Sequence, residues 1–151
     1  INVCPITEYL SNKNGDRIIC NYDVVVDCTD NLEARFLANE ICVRNQIPLI
    51  YGAVFRYEGQ VSVFDAQKGP CLRCMYPIIP DQRSIPDPAE SGLLGTIPGI
   101  IGILQANEVI KLLLGIGESL IGSLVLVDGY STSFKKIFIK KREDCPVCGK
   151  D

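Results

Sequence analysis

Four cysteines stand in two matched pairs, Cys71-Leu-Arg-Cys74 and Cys145-Pro-Val-Cys148. Two residues between thiols let one turn grip an ion from two sides, and a second such turn closes a tetrahedron. Both pairs are set in turn chemistry: Gly69 and Pro70 precede the first, and Pro146 and Gly149 lie within and after the second. Four soft sulfurs with no histidine anywhere in the chain suit zinc. Such a site is closed, so it staples the C-terminal end to the middle of the chain and performs no chemistry. The competing readings are four free thiols or redox pairs. A second constellation is Asp27-Cys28-Thr29-Asp30-Asn31, which follows the apolar run YDVVV. Asp30 could hold Mg²⁺ bridging phosphates, since that ion takes hard oxygen ligands and few carboxylates. It could equally cap the helix that follows. Spacing leaves both open, as it does for Thr29 and Asn31, which could cap the helix or touch a ligand.

Several residues are set aside. Cys4, Cys20, Cys28 and Cys42 are nucleophiles only in principle, because no histidine activates them and buried thiols are commonly inert packing. The glycines at 99 and 102 lie inside an apolar stretch and read as helix packing, not as a phosphate loop. Lys135–Lys136 and Lys140–Lys141–Arg142 read as a solvated strand end.

These side chains need elements to position them. Residues 22–28 are apolar on both faces, the pattern of a buried parallel strand. Residues 32–45 carry apolar side chains at 32, 36, 37, 41 and 43 and read as a helix. Residues 48–52 and 59–65 read as strands, so strand, helix, strand predicts an α/β sheet with a crossover. In such sheets ligands bind at the carboxyl ends of strands, which is where Asp30 falls. Residues 77–88 hold prolines at 77, 80, 86 and 88 and read as an exposed, mobile loop. A long helix is expected over 95–114, stopped by Gly115 and Gly117. Strands at 123–128 and 134–140 complete the set. The Asn14-Gly15 pair reads as a turn.

Composition limits what such a domain can do. The chain has 151 residues, a net charge of −3, 47% hydrophobic and 22% charged residues. That is one globular domain without the basic stripe of a nucleic-acid binder. The absence of histidine removes histidine-based triads and bases. The apolar stretch 93–117 carries Gln105, Asn107, Glu108 and Lys111, which makes it a poor membrane span. Paired CxxC without a signal peptide reads as metal in a soluble, cytoplasmic protein. Ile1 rather than Met at the start suggests a piece of a longer chain.

In order along the chain stand YDVVVDCTDN, PLIYGAVFRYEGQVSVF, GPCLRCMYP, ESGLLGTIPGIIGILQANEVIKLLLGIGE and DCPVCG. Together they resemble the ThiF/MoeB/HesA family of ubiquitin-activating-type adenylyltransferases, from about residue 22 to 149. The resemblance implies a Rossmann-like sheet with crossover helices, added C-terminal strands and a Cys4 zinc site. It implies ATP- and Mg²⁺-dependent adenylation of the C-terminal Gly-Gly carboxylate of a small β-grasp protein, ubiquitin-like or sulfur-carrier, by a homodimer. It implies that Asp30 is the magnesium-linked aspartate, with Asn31 beside the nucleotide. It implies that Cys71, Cys74, Cys145 and Cys148 hold structural zinc. Residues 77–91 are expected to form the crossover loop over the substrate's tail.

Two departures accompany the resemblance. The family's GxGGxG nucleotide segment is absent, so the chain resembles the C-terminal two-thirds of the enzyme. Pro88 stands where many relatives have a cysteine, which argues against thioester or acyl-disulfide chemistry there. A second reading is a zinc-stabilised module that binds a β-grasp partner without chemistry.

Overall fold

The computed structural model describes residues 1–80 and 91–149. Its elements are α1 (Gly15–Ile19), β1 (Val25–Val26), α2 (Leu32–Asn45), β2 (Leu49–Phe55), β3 (Glu58–Phe64), α3 (Leu72–Met75), α4 (Thr96–Leu114), β4 (Ser123–Asp128) and β5 (Ser133–Phe138). The five strands form one sheet in sequence order, parallel between β1 and β2 and antiparallel thereafter. Among the described residues the expected crossover is the single unit β1–α2–β2; β2–β3 and β4–β5 are hairpins, and β3 pairs antiparallel with β4 across a long connection that carries α3 and α4.

Helix α2 begins where Asn31, in extended backbone, accepts the Ala34 N–H on its Oδ1 at 2.9 Å. Glu33 in its first turn and Arg44 in its last suit the helix dipole. Gln46 ends it in the left-handed region, its N–H returning to the carbonyls of Cys42 and Val43. Its inner face, with Phe36 and Ile41, packs against Tyr51, Phe64, Leu72 and Leu124 to form the main core. Strand alternation sends Ile50, Val61 and Val63 to the other face.

That second face is covered by α4, whose buried stripe is Ile97, Ile101, Gln105 and Glu108. By length and composition alone α4 could cross a membrane. The stripe containing its two buried polar residues faces the sheet, where Gln105 Nε2 donates to the carbonyls of Asp27 (2.8 Å) and Ile50 (3.3 Å). Glu108 accepts the Leu120 N–H at 2.9 Å and pairs with Lys111. The close approach depends on two strand glycines. A Cβ on Gly52 would lie 2.5 Å from the Gln105 amide, and one on Gly59 would lie 2.5 Å from Ile101.

Several expectations are corrected. The strand expected at 22–28 pairs over only two residues, and Val26 is 40% exposed, so β1 is an edge among the described residues. The strand expected to stop at Gly52 runs on to Phe55, because that glycine admits the helix and does not end the strand. The last strand begins at Ser133 and closes at Phe138, short of the expected Lys140. Asn14-Gly15 opens a short helix, not a simple turn. Gly15 lies under Ile41, and Asp16 binds Arg44 and Asn45 of α2. Gly99 and Gly102, expected to pack closely, have nothing near their Cβ positions among the described residues. The proline-rich stretch expected as a mobile loop lies largely in 81–90, outside the described residues.

Candidate functional site

The four paired cysteines meet. Cys71 Sγ lies 3.6 Å from Cys145 Sγ, Cys74 Sγ lies 3.4 Å from Cys148 Sγ, and all four sulfurs fall within 4.8 Å of one another. A tetrahedral Zn–S₄ centre has sulfur–sulfur edges of about 3.8 Å, from metal–sulfur bonds of about 2.3 Å. The sulfur spacing therefore fits a metal, and the thiols are free, not oxidised to disulfides.

Local structure aims the sulfurs. The first pair rides on the single turn α3, with Cys74 N–H donating to the Cys71 carbonyl at 3.0 Å. The second pair folds on Gly149, whose N–H reaches the Cys145 carbonyl at 2.9 Å. A Cβ at 149 would lie 2.5 Å from the carbonyls of Glu143 and Cys145, so the turn tolerates only glycine. The Arg142 N–H points at Cys74 Sγ from 3.5 Å. Asn39 Oδ1 accepts the Leu72 N–H at 2.9 Å and pins the knuckle to α2.

The thiols are unequal without an ion. Burial pushes the Cys71 thiol far up and Cys148 up to about 11. Burial also opposes ionisation of Cys145, but backbone N–H groups of Cys148 and Val147 outweigh it and bring that thiol down to about 7. Of these three, Cys145 is the one held most readily as a thiolate.

The 27–31 turn forms a second candidate site, held by buried polar groups that include Arg35, which the sequence reading did not single out. The Asp27 side chain is fully buried. Its Oδ1 accepts the Thr29 N–H (2.9 Å) and hydroxyl (2.6 Å), and its Oδ2 accepts Arg35 Nε at 2.8 Å. Arg35 Nη2 donates to the carbonyls of Thr29 (2.8 Å) and Gly52 (3.0 Å), and its guanidinium lies over the Tyr51 ring. Together with Gln105, this network fixes the backbone between β1 and α2. Gln105 was legible as a polar residue inside an apolar helix. Asp27 was legible as a carboxylate closing a valine run.

Capping of α2 falls to Asn31, not Asp30. Asp30 is exposed, and among the described residues its carboxylate has one hydrogen-bonding neighbour, Asn31 Nδ2 at 3.3 Å. Both line a cavity of about 520 Å³ with Arg35, Arg56, Gln60 and Tyr76. Arg56 occupies the hairpin turn between β2 and β3 with φ of 52°, a rare backbone conformation for a non-glycine residue. Of the four other cysteines only Cys42 is buried, its thiol raised to about 12 by burial and by the Asp27 carboxylate. Cys4, Cys20 and Cys28 are exposed, so inert packing describes Cys42 alone.

Known proteins extend these observations. The chain is 39% identical over 149 residues to the SAMP-activating enzyme E1 of Haloferax volcanii, covering 99% of this chain and 55% of that enzyme. It is 41% identical over 145 residues to the sulfur carrier protein adenylyltransferase of Thermus thermophilus, covering 93% of this chain and 54% of that protein. It thus spans about half the length of these curated relatives. Among solved structures, E. coli MccB superposes with a TM-score of 0.77 at 16% identity, over 96% of this chain and 44% of that one. That likeness establishes the fold. The family model described as the ThiF family matches residues 1–147, and the chain, with its mixed sheet and four-cysteine cluster, belongs to that family of adenylyltransferases.

Proposed function

We propose that the protein carrying this chain adenylates the C-terminal Gly-Gly carboxylate of a small ubiquitin-like or sulfur-carrier protein, using ATP and Mg²⁺. The observation that carries this reading is the situation of Asp30. Its carboxylate is exposed on a cavity at the carboxyl end of β1, and the helix it precedes is capped by its neighbour. A carboxylate freed from structural duty at that end of a strand is available to a ligand.

The chemistry asks little of the protein beyond placement. The attacking carboxylate is ionised at neutral pH, so no histidine base is required. Mg²⁺ held by Asp30, with Asn31 beside it, would neutralise charge on the leaving pyrophosphate. Arg35 is committed to Asp27 and serves to hold the turn rigid under Asp30. The four cysteines hold zinc as a closed structural staple. Residues 1–151 are read as part of one adenylyltransferase domain, and 77–91 as its loop over the substrate tail. We read the protein as a soluble, cytoplasmic homodimer. Ile103, Ile110, Leu113 and Leu114 on the outer side of α4 are exposed, which supports a covered face.

Pyrophosphate exchange into ATP tests this in the whole protein. Exchange is expected to require Mg²⁺ and a carrier ending in Gly-Gly. Asp30→Asn is expected to reduce it by about two orders of magnitude, the scale for one lost electrostatic element at a transition state. The melting temperature should hardly move, because Asn31 does the capping. Full exchange in the Asn variant removes Asp30 from the site. Carrier binding without exchange in the wild type returns the protein to a non-catalytic module.

A further inference from the structure

The wall of the cavity contributed by β3 holds a polar arrangement that neither the capping of α2 nor the 27–31 network uses. Gln60 is half-buried there, opposite Ala53 of β2, whose short side chain leaves the space beside it open. Two tyrosine hydroxyls converge on its amide oxygen: Tyr51 Oη donates to Gln60 Oε1 at 3.1 Å and Tyr76 Oη at 3.4 Å. Burial, with Tyr76 nearby, pushes the Tyr51 hydroxyl well above the ordinary tyrosine range, so it remains a donor. An amide oxygen has two lone pairs, and both are occupied here. The amide orientation is thereby fixed, and its Nε2 hydrogens have no acceptor among the described residues. The tyrosines are themselves braced, Tyr51 by Phe64 and the Arg35 guanidinium, Tyr76 edge-on to Phe36.

We propose that Gln60 is a specificity-determining donor for the carrier's C-terminal tail, its Nε2 presented to a tail carbonyl or carboxylate oxygen by Tyr51 and Tyr76 acting as positioning residues. This rests on the adenylation reading above. In an in-line displacement at the α-phosphate, attacking and leaving oxygens lie on opposite sides of the phosphorus. Asp30, at the end of β1, serves the leaving pyrophosphate. Gln60 lies two strands away, about 10 Å across the sheet, and so serves the side from which the carboxylate arrives. A neutral donor suits that side, since it can hold a peptide oxygen without forming an unproductive salt bridge with the nucleophile. Tyr76 also joins this wall to the first cysteine knuckle, which it directly follows.

The test is steady-state exchange in the whole protein, titrating in turn ATP and a ubiquitin-like carrier with an intact Gly-Gly terminus. Gln60→Glu keeps an oxygen for the tyrosines but replaces the donor by a second, charged oxygen. The carrier KM is expected to rise about 10- to 100-fold, the range for losing a hydrogen bond and leaving its partner unsatisfied. The KM for ATP and the melting temperature should stay put. Gln60→Met, similar in length and uncharged, should raise the carrier KM about tenfold and decides the matter if the Glu variant does not fold. Tyr76→Phe should produce a smaller rise in the same parameter only. A carrier KM within about twofold of wild type in both Gln60 variants, or equal rises for ATP and carrier, overturns the assignment while leaving the adenylation reading intact. No carrier-dependent exchange in the wild type overturns that reading, and this inference with it.

Discussion

The four-cysteine centre and the 27–31 turn use polar groups in opposite ways. At the centre the donors converge on one another, and the thiols are mostly buried. At the turn the buried polar groups satisfy each other, Asp27 with Thr29 and Arg35, and so leave one carboxylate, Asp30, facing a cavity. The first arrangement stabilises; the second presents. Rigidity is common to both, because each is anchored to α2: the centre through Asn39, the turn through Arg35. One helix thus sets the geometry of the four-cysteine cluster and of the turn that presents Asp30.

The largest break in this comparison comes from the centre. Zinc sites of this type contribute about 10–16 kcal/mol of apparent binding free energy, more than the about 5–15 kcal/mol that holds a typical domain folded. Protein purified without added metal should contain close to one equivalent of zinc, and chelation or Cys145→Ser should unfold it. Elemental analysis and a thermal melt check this. A folded protein containing no metal, or a melt indifferent to chelator, would remove the staple.

The next largest break comes from Arg35. Arg35→Met leaves the Asp27 carboxylate buried and uncompensated, an effect of about 3–5 kcal/mol when one partner of a buried pair is removed. Asp27→Asn in the same chain should recover much of the loss, because the amide carries no charge to bury. Denaturant unfolding of the two single variants and the double variant measures the coupling. Additive losses would show that Arg35 acts on stability through packing over Tyr51 and not through the carboxylate. Either way the contrast with Asp30 sharpens: a change at Asp30 should move activity and not stability, and a change at Arg35 should move both.

What the sequence disclosed divides along the same line. The four-cysteine cluster was legible because two identical spacings single out four thiols, and the chain needs only to bring them together. The single crossover was legible in its apolar runs and in the cap-type residues after them. Of the polar groups around the turn and its cavity, Asp27 and Gln105 carried a sequence signal, whereas Arg35 and Gln60 did not, because each is a common surface type taken singly. Their roles depend on burial, which only packing of α2 and α4 against opposite faces of the sheet creates. Glycine was the most ambiguous signal. At 52 it marked a helix contact within a continuing strand, at 15 a buried contact, and at 99 and 102, among the described residues, open space.

The smallest effect belongs to a region outside both sites, where α1 is tied to α2. Hydrogen bonds from Arg44, and then from Asn45, hold the Asp16 carboxyl below its ordinary value of 3.8. A carboxylate whose folded pKa is depressed adds stability that is fully present above its unfolded value and is lost as pH falls through the folded one. The contribution is therefore complete at neutral pH and fades below about pH 4. Both groups are exposed, so water and salt screen the pair and the effect is slight. Acid would also protonate the thiolates of a zinc-loaded cysteine cluster and lower stability in wild type and variant alike. The informative quantity is accordingly the difference between wild type and Asp16→Asn in parallel denaturant series across pH 2.5 to 7, a range spanning about both protonation states. That difference should be small and favour wild type at neutral pH, then shrink as pH drops. It should also shrink in high salt. A difference that grows toward acid would mean that Asp16 is held by something other than Arg44 and Asn45.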